Sequence, residues 1–187
     1  MKTVIVDIGH ADGTGARGFE GLEEHSVNVV IGDRLVTLLK KAGLNVVRLD
    51  FPHETNTSDL NKTVAAANKV EAALGISLHS DWAGNANAHG GHAEHMLGSI
   101  KGKKAAQCIA AHIVKILPGR AEPVVSRPNA TDKKTLAVLR GTRAPWVLVE
   151  GGFITNPCDA NIMRSNPQFI AEAYCSGILD YLQEGEE

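Results

Sequence analysis

Cysteine is scarce in this chain, and the few present are badly placed for chemistry. Cys108, Cys158 and Cys175 are an odd number with no Cys-x-x-Cys pair, so neither a disulfide framework nor a thiolate metal site is indicated. Packing as small apolar side chains suffices for all three. Long apolar runs are also missing. None approaches the roughly 18 residues that a membrane-spanning helix needs, and Met1-Lys2 leads straight into an apolar strand, so neither a membrane span nor a signal peptide is read and the export route is left open. There is no long run of one charge. With 19 basic and 21 acidic side chains and a net charge of −2, the chain has no polybasic footprint for nucleic acid or anionic lipid. No repeat or low-complexity linker divides it. At 187 residues and 43% apolar content it is long enough for one well-buried core and short for two, so residues 1–187 read as a single domain. The acidic end, Glu184-Gly185-Glu186-Glu187, fits either a domain junction or a natural terminus.

What is present is an alternation of short apolar runs with helix-period segments. That is the pattern of an α/β fold, an open, largely parallel twisted sheet with helices on both faces. Val4-Ile5-Val6-Asp7 is the first strand, and a glycine-rich loop (Gly13, Gly15, Gly18, Gly21) leads to a helix from about Glu24 to Lys41 that stops at Gly43. Asn45 to Leu49 reads as a strand, Asp59 to Ala73 as a helix after the polar turn Thr55-Asn56-Thr57-Ser58, and Gly75 to His79 as a strand. Gly90 to Leu97 alternates weakly and is a strand candidate, and Lys103 to Leu117 is helical up to Pro118-Gly119. Val124-Val125 and Leu136 to Leu139 are short strand candidates, and Trp146 to Glu150 is a buried strand. Two late helices each begin with asparagine as cap and proline as first helical residue, at Asn156-Pro157 and Asn166-Pro167.

Chemistry concentrates where these elements end. In an open parallel sheet, ligands gather beyond the carboxyl ends of the strands. His10 and His79 follow two strands, and Glu150 ends a third. Glu24 lies three, seven and eleven positions before Val27, Ile31 and Leu35, on the helix face that must pack against the sheet, where a carboxylate is costly unless paired. Two neutral imidazoles and a carboxylate are a standard catalytic zinc set that leaves a fourth position for water. His10, Glu24 and His79 are therefore the candidate zinc ligands, and Glu150 is left as acid/base. Taken singly, each has an ordinary structural reading: hydrogen-bonded histidines, a first-turn glutamate favoured by the helix dipole, and a strand-end ion pair.

The stretch Val4-Ile5-Val6-Asp7-Ile8-Gly9-His10, followed by Gly18, Gly21, Glu24 and Asn28, resembles the opening of the zinc-dependent N-acetylmuramoyl-L-alanine amidases that cleave peptidoglycan. Leu60 to Asn68, Ser77-Leu78-His79, Val138-Leu139-Arg140, and Leu148-Val149-Glu150-Gly151-Gly152-Phe153-Ile154-Thr155-Asn156 with Asp159 resemble later blocks of that family, in order and over nearly the whole chain. The resemblance implies zinc on His10, Glu24 and His79 and catalysis by Glu150. It also implies a peptidoglycan muramyl-peptide substrate and a site of action in the cell wall, extracellular or periplasmic. There are departures. Ala11-Asp12 stands where glycines are usual, Ser80-Asp81 where the family has Ala-Asn, and Thr63 where an arginine is usual.

The remaining candidates are weaker. Asp7 either orients His10 or caps a turn, and Asp81 adds negative charge near the metal. Trp82 either stacks on substrate or packs its loop, and Arg140 faces substrate or solvates a loop. Glu94 is the best supporting residue in the cluster His89, His92, Glu94 and His95. Spacing of three on a strand sends His92 and His95 to opposite faces, so a second metal site is not read there, and a polar loop or partly exposed strand accounts for them. Two other functions stay open on sequence. A zinc carboxy- or aminopeptidase would use the same ligands, with Arg127, Arg140 or Arg143 for a terminal carboxylate. A catalytically silent peptidoglycan-binding module is the other.

Overall fold

The computed structural model describes residues 1–126 and 136–184. Six strands form one open sheet in the order β2-β1-β3-β6-β4-β5. They are β1 (Thr3–Ile8), β2 (Asn45–Leu49), β3 (Leu74–Asp81), β4 (His92–His95), β5 (Val124–Val125) and β6 (Trp146–Phe153). The pairs β1·β2, β1·β3, β3·β6 and β4·β5 are parallel and β4·β6 is antiparallel, so the sheet is largely parallel, as the alternating pattern predicts. Among the described residues there are six α-helices, α1 (Glu24–Lys41), α2 (Asn56–Ala67), α3 (Ile100–Ile116), α4 (Ala137–Gly141), α5 (Pro157–Ser165) and α6 (Pro167–Glu184), and a 3-10 turn at Phe19–Gly21.

Strand alternation divides the core in two. Val4, Val6 and Ile8 of β1 face the larger half, with Val27, Ile31 and Leu35 of α1, Ile109 and Ile113 of α3, and Tyr174 and Ile178 of α6. Ile5 faces the other way, with Trp146 and Leu148 of β6, Ala67 of α2, and Val138 and Leu139 of α4. Both faces are thus covered, which is why the strands are apolar runs rather than half-polar ones. The same alternation puts Asp7, Ser77, His79 and Glu150 on the side of the smaller core.

Caps match the sequence signals where a side chain can bond the first turn. Thr55 accepts from Ser58 N, and Asn156 accepts from Cys158 N and Asp159 N with Pro157 just inside the helix. Three expectations fail. Leu136 to Leu139 is not a strand: Ala137–Gly141 is a short helix whose adjacent Val138 and Leu139 both reach the smaller core, and a run this short has no periodicity to separate the two states. Helix α2 starts earlier than Asp59, because Thr55 caps it, and stops at Ala67, well before Ala73. Strand β6 does not end at Glu150 but runs on to Phe153, with a register irregularity opposite His79 and Asp81.

Candidate metal centre and active site

The loop after β1 brings the first histidine to the carboxyl end of the sheet at a conformational cost. His10 sits at φ 67°, a left-handed conformation that non-glycine residues rarely adopt and that tends to persist at sites whose surroundings over-determine it. Gly9 before it makes this approach possible, since a Cβ there would lie 2.5 Å from the His79 ring. Gly15 does the same from the other side: its φ is +79°, and a Cβ would come within 2.8 Å of both the His10 ring and Glu24 Oε2. The His10 and His79 rings meet edge to face with centroids 4.8 Å apart.

Glu24 joins them from the first turn of α1. It is 3% exposed, on the same buried face as Val27, Ile31 and Leu35. Its Oε1 lies 3.2 Å from His10 Nε2 and 3.1 Å from His79 Nδ1 and accepts a hydrogen bond from Ser80 N at 3.0 Å, while Oε2 accepts from Ala16 N at 2.7 Å. Donor atoms of His10, Glu24 and His79 all lie within 4.8 Å of one another, the spacing of a group able to hold a metal ion. Burial pushes the Glu24 carboxyl up, but hydrogen bonds and charge from the two histidines outweigh it and hold the group well below the usual carboxylate range.

Around these residues the structure corrects some roles. Asp7 does not orient His10: both its oxygens are taken by hydroxyls, from Thr63 at 2.9 Å and Ser77 at 2.6 Å. Ser77 in turn accepts from Trp146 Nε1 at 2.8 Å, which ties the buried aspartate to the smaller core. The residue that meets His10 is Asn56, whose Oδ1 lies 3.0 Å from His10 Nδ1 and also accepts from Thr14 Oγ1 at 2.7 Å. Sequence reading passed over Asn56 because it looks like an ordinary turn residue. Asn28, 1% exposed, donates to Gly9 O at 3.3 Å and so steadies the His10 loop. One departure from the family pattern has a local partner: Asp12 pairs with buried His25 at 2.8 Å.

Glu150 stands in register between His79 on β3 and His92 on β4. Its Oε2 is buried with no hydrogen-bond partner among the described residues. Burial, with Asp81, Glu24 and Glu94 nearby, lifts its carboxyl well above the usual range, and Arg120 opposes this only weakly. Arg120, missed in the sequence, lies over the Phe153 ring at 5.4 Å. Asp81 accepts from Trp82 N at 2.8 Å, and Trp82 is 57% exposed. Glu94 lies 3.3 Å from His92 Nε2, on the same face of β4 as Glu150's neighbour. His92 and His95 do face opposite ways, but both are buried rather than partly exposed, because β4 is an inner strand between β5 and β6.

A cavity of about 260 Å³ opens beside His10 and His79, between α2, α4 and the sheet. Arg140 and Arg143 do not line it: both are exposed. Arg127 lies outside the described residues. The arginine-lined pocket expected of a peptidase thus has no support among the described arginines near the histidines.

The N-acetylmuramoyl-L-alanine amidase family model matches residues 4–180. The chain belongs to that family. Among curated relatives, YqiI of Bacillus subtilis, described as an uncharacterized protein, is 30% identical over 98% of this chain and 86% of its own length. The N-acetylmuramoyl-L-alanine amidase LytC of Bacillus subtilis is 29% identical over 96% of this chain, which spans 35% of LytC. The amidase AmiC2 of Nostoc punctiforme superposes with a TM-score of 0.81 at 27% identity, covering 97% of each chain. The matching architecture agrees with the single open sheet described above.

Proposed function

We propose that this amidase-family chain hydrolyses the amide between N-acetylmuramic acid and L-alanine in peptidoglycan, with zinc held by His10, Glu24 and His79 and with Glu150 as the acid/base. The observation that carries the reading is the convergence of two imidazoles and a buried, ionised carboxylate within 4.8 Å, together with Glu150, whose buried Oε2 has no hydrogen-bond partner among the described residues. The donor set fits zinc, since neutral imidazole nitrogen and carboxylate oxygen are its usual ligands in sites that leave a position for water. Zinc bound there supplies a Lewis acid for the carbonyl and lowers the pKa of water to about 7.

The chain's own residues position groups and move a proton. Asn56 Oδ1, already accepting from Thr14, takes the hydrogen on His10 Nδ1 and leaves Nε2 free to ligate. Ser80 N and Ala16 N hold the two oxygens of Glu24, so its carboxylate is oriented before any metal arrives. Burial and acidic neighbours raise the Glu150 pKa, which makes its ionised form a stronger base, suited to take a proton from water and then return it to the departing nitrogen of L-alanine. An amide nitrogen leaves poorly unless protonated, so the return step matters as much as the first. The site of action follows from the substrate: the cell wall, outside the cytoplasmic membrane.

Digestion of purified peptidoglycan with mass analysis tests the bond. Expected products are stem peptides beginning with L-alanine and glycan strands bearing free lactyl carboxylates. New reducing sugars without new N-terminal alanine would overturn the assignment, and amino termini inside the stem would make the chain a peptidase.

A further inference from the structure

The cavity beside the two histidines shares His10, Asn56 and His79 with the proposed metal site, and the rest of its lining has been given no role in the hydrolysis. Leu60, Val138 and Leu148 give it apolar walls, and two carboxylates, Asp7 and Asp59, stand at it. They differ in one respect. Asp7 is satisfied by the Thr63 and Ser77 hydroxyls. Asp59, on the first turn of α2, is 7% exposed, and its Oδ1 has no partner among the described residues. Among the described residues, no lysine or arginine lines the cavity. Burial and the charge of Asp7 raise the Asp59 carboxyl to about 6, with His10 and His79 opposing the rise, and no described side chain bonds its open oxygen. Such a group is costly unless something supplies the missing donors.

We propose that this cavity receives a primary ammonium group of the substrate, with its carbon chain against the apolar walls and its charge against Asp59. The inference rests on the amidase reading for the identity of the substrate. An ammonium is compact and carries three donors and no acceptor, which complements a carboxylate with an open oxygen. A neutral hydroxyl or amide would leave the charge uncompensated, and a carboxylate would be repelled by Asp7 and Asp59 together. A muramyl peptide can offer such a group in two places: the side-chain amine of a diamino acid in the stem, or the 2-amino group of a sugar that lacks its acetyl. The apolar walls match the methylene chain of the first.

Binding measured by NMR on the zinc-loaded protein near neutral pH, following the methyl resonances of Val138 and Leu148, separates these outcomes without requiring turnover. Pentylammonium is expected to saturate, with 1-pentanol weaker by roughly ten-fold or more and with a similar loss for pentylammonium in Asp59→Asn. Preference for glucosamine over N-acetylglucosamine, in place of pentylammonium, would support the ammonium site and assign it to the sugar. Equal binding of pentylammonium and 1-pentanol to the wild type would overturn the proposal. So would unchanged pentylammonium affinity in Asp59→Asn, which would point to direct ligation of the metal by free amine. Because no bond is cleaved in this experiment, its failure leaves the amidase reading intact, and failure of peptidoglycan digestion leaves this one measurable.

Discussion

Glu24, which is buried, and Glu150, half-buried with its Oε2 out of solvent, lie within electrostatic reach of each other, and their protonation is driven in opposite directions. Burial pushes both toward the neutral form. At the α1 corner, two imidazoles and two backbone amides converge on Glu24 and reverse that push. On β6, Glu150 has an oxygen with no partner among the described residues and three acidic neighbours, and the charge of Arg120 does not reverse the push. What separates the two carboxyls is the donors the fold supplies. The difference suits the roles proposed for them: one carboxylate held ionised for a cation, the other kept protonatable to move a proton.

The strongest way to break this comparison is to remove a donor at the α1 corner. His79→Ala is expected to lose most of its zinc and nearly all activity, measured by metal content and peptidoglycan digestion. Full zinc occupancy in that variant would show the site to be misassigned. On β6, Glu150→Gln keeps shape and should keep zinc, while turnover falls by roughly 10²-fold or more because the proton carrier is gone. Wild-type turnover would move that role elsewhere.

A smaller effect is expected at Asn56, which touches His10 but not the proposed metal. Asn56→Ala should weaken zinc affinity by about 10-fold, at the low end of what partners of ligating histidines contribute, with the fold unchanged by circular dichroism. An unaltered affinity would mean that His10 is oriented by its backbone alone.

The comparison can also be sharpened through stability in the metal-free protein. Glu24 has a folded-state pKa below its unfolded value, so its ionised form stabilises the fold above about pH 4.5, and this is lost as pH falls through the lowered value. Glu24→Gln should therefore lower the melting temperature at neutral pH, as removal of one partner from a buried pair costs about 3–5 kcal/mol. Glu150 has the opposite sign. Its raised pKa makes the folded state bind the extra proton, so stability falls as pH rises from 4.5 through the raised value. Glu150→Gln should melt higher than wild type at alkaline pH, with the difference vanishing near pH 4. Melting shifts of the same sign in both variants would show that burial alone governs the two carboxyls.

Some of this was legible in residue order. The strands leading to His10 and His79, the apolar spacing behind Glu24, and the Asn-Pro helix starts are local patterns, although β1 stops at Ile8 and β3 runs past His79 to Asp81; each pattern reflects a constraint that acts within a few residues: alternation, a 3.6-residue period, a cap. Composition and alternation likewise called for one α/β unit with a mainly parallel sheet, and that is the fold observed.

Other features depended on which segments meet. No local rule distinguishes Asn56 from any turn asparagine, or Asp59 from any first-turn aspartate; only the packing of α2 against the sheet sets one beside His10 and buries the other at a cavity. Asp7 looked like a partner for the next histidine along the chain, and the sheet register gave it Ser77 instead, 70 residues away. Leu136 to Leu139 was too short to declare its state until the smaller core asked for two adjacent apolar side chains on one side. By itself the sequence determined the elements and the residue types able to bind and to titrate. The tertiary structure decided their charge states and partners, because burial and hydrogen-bond donors come from segments distant in the chain.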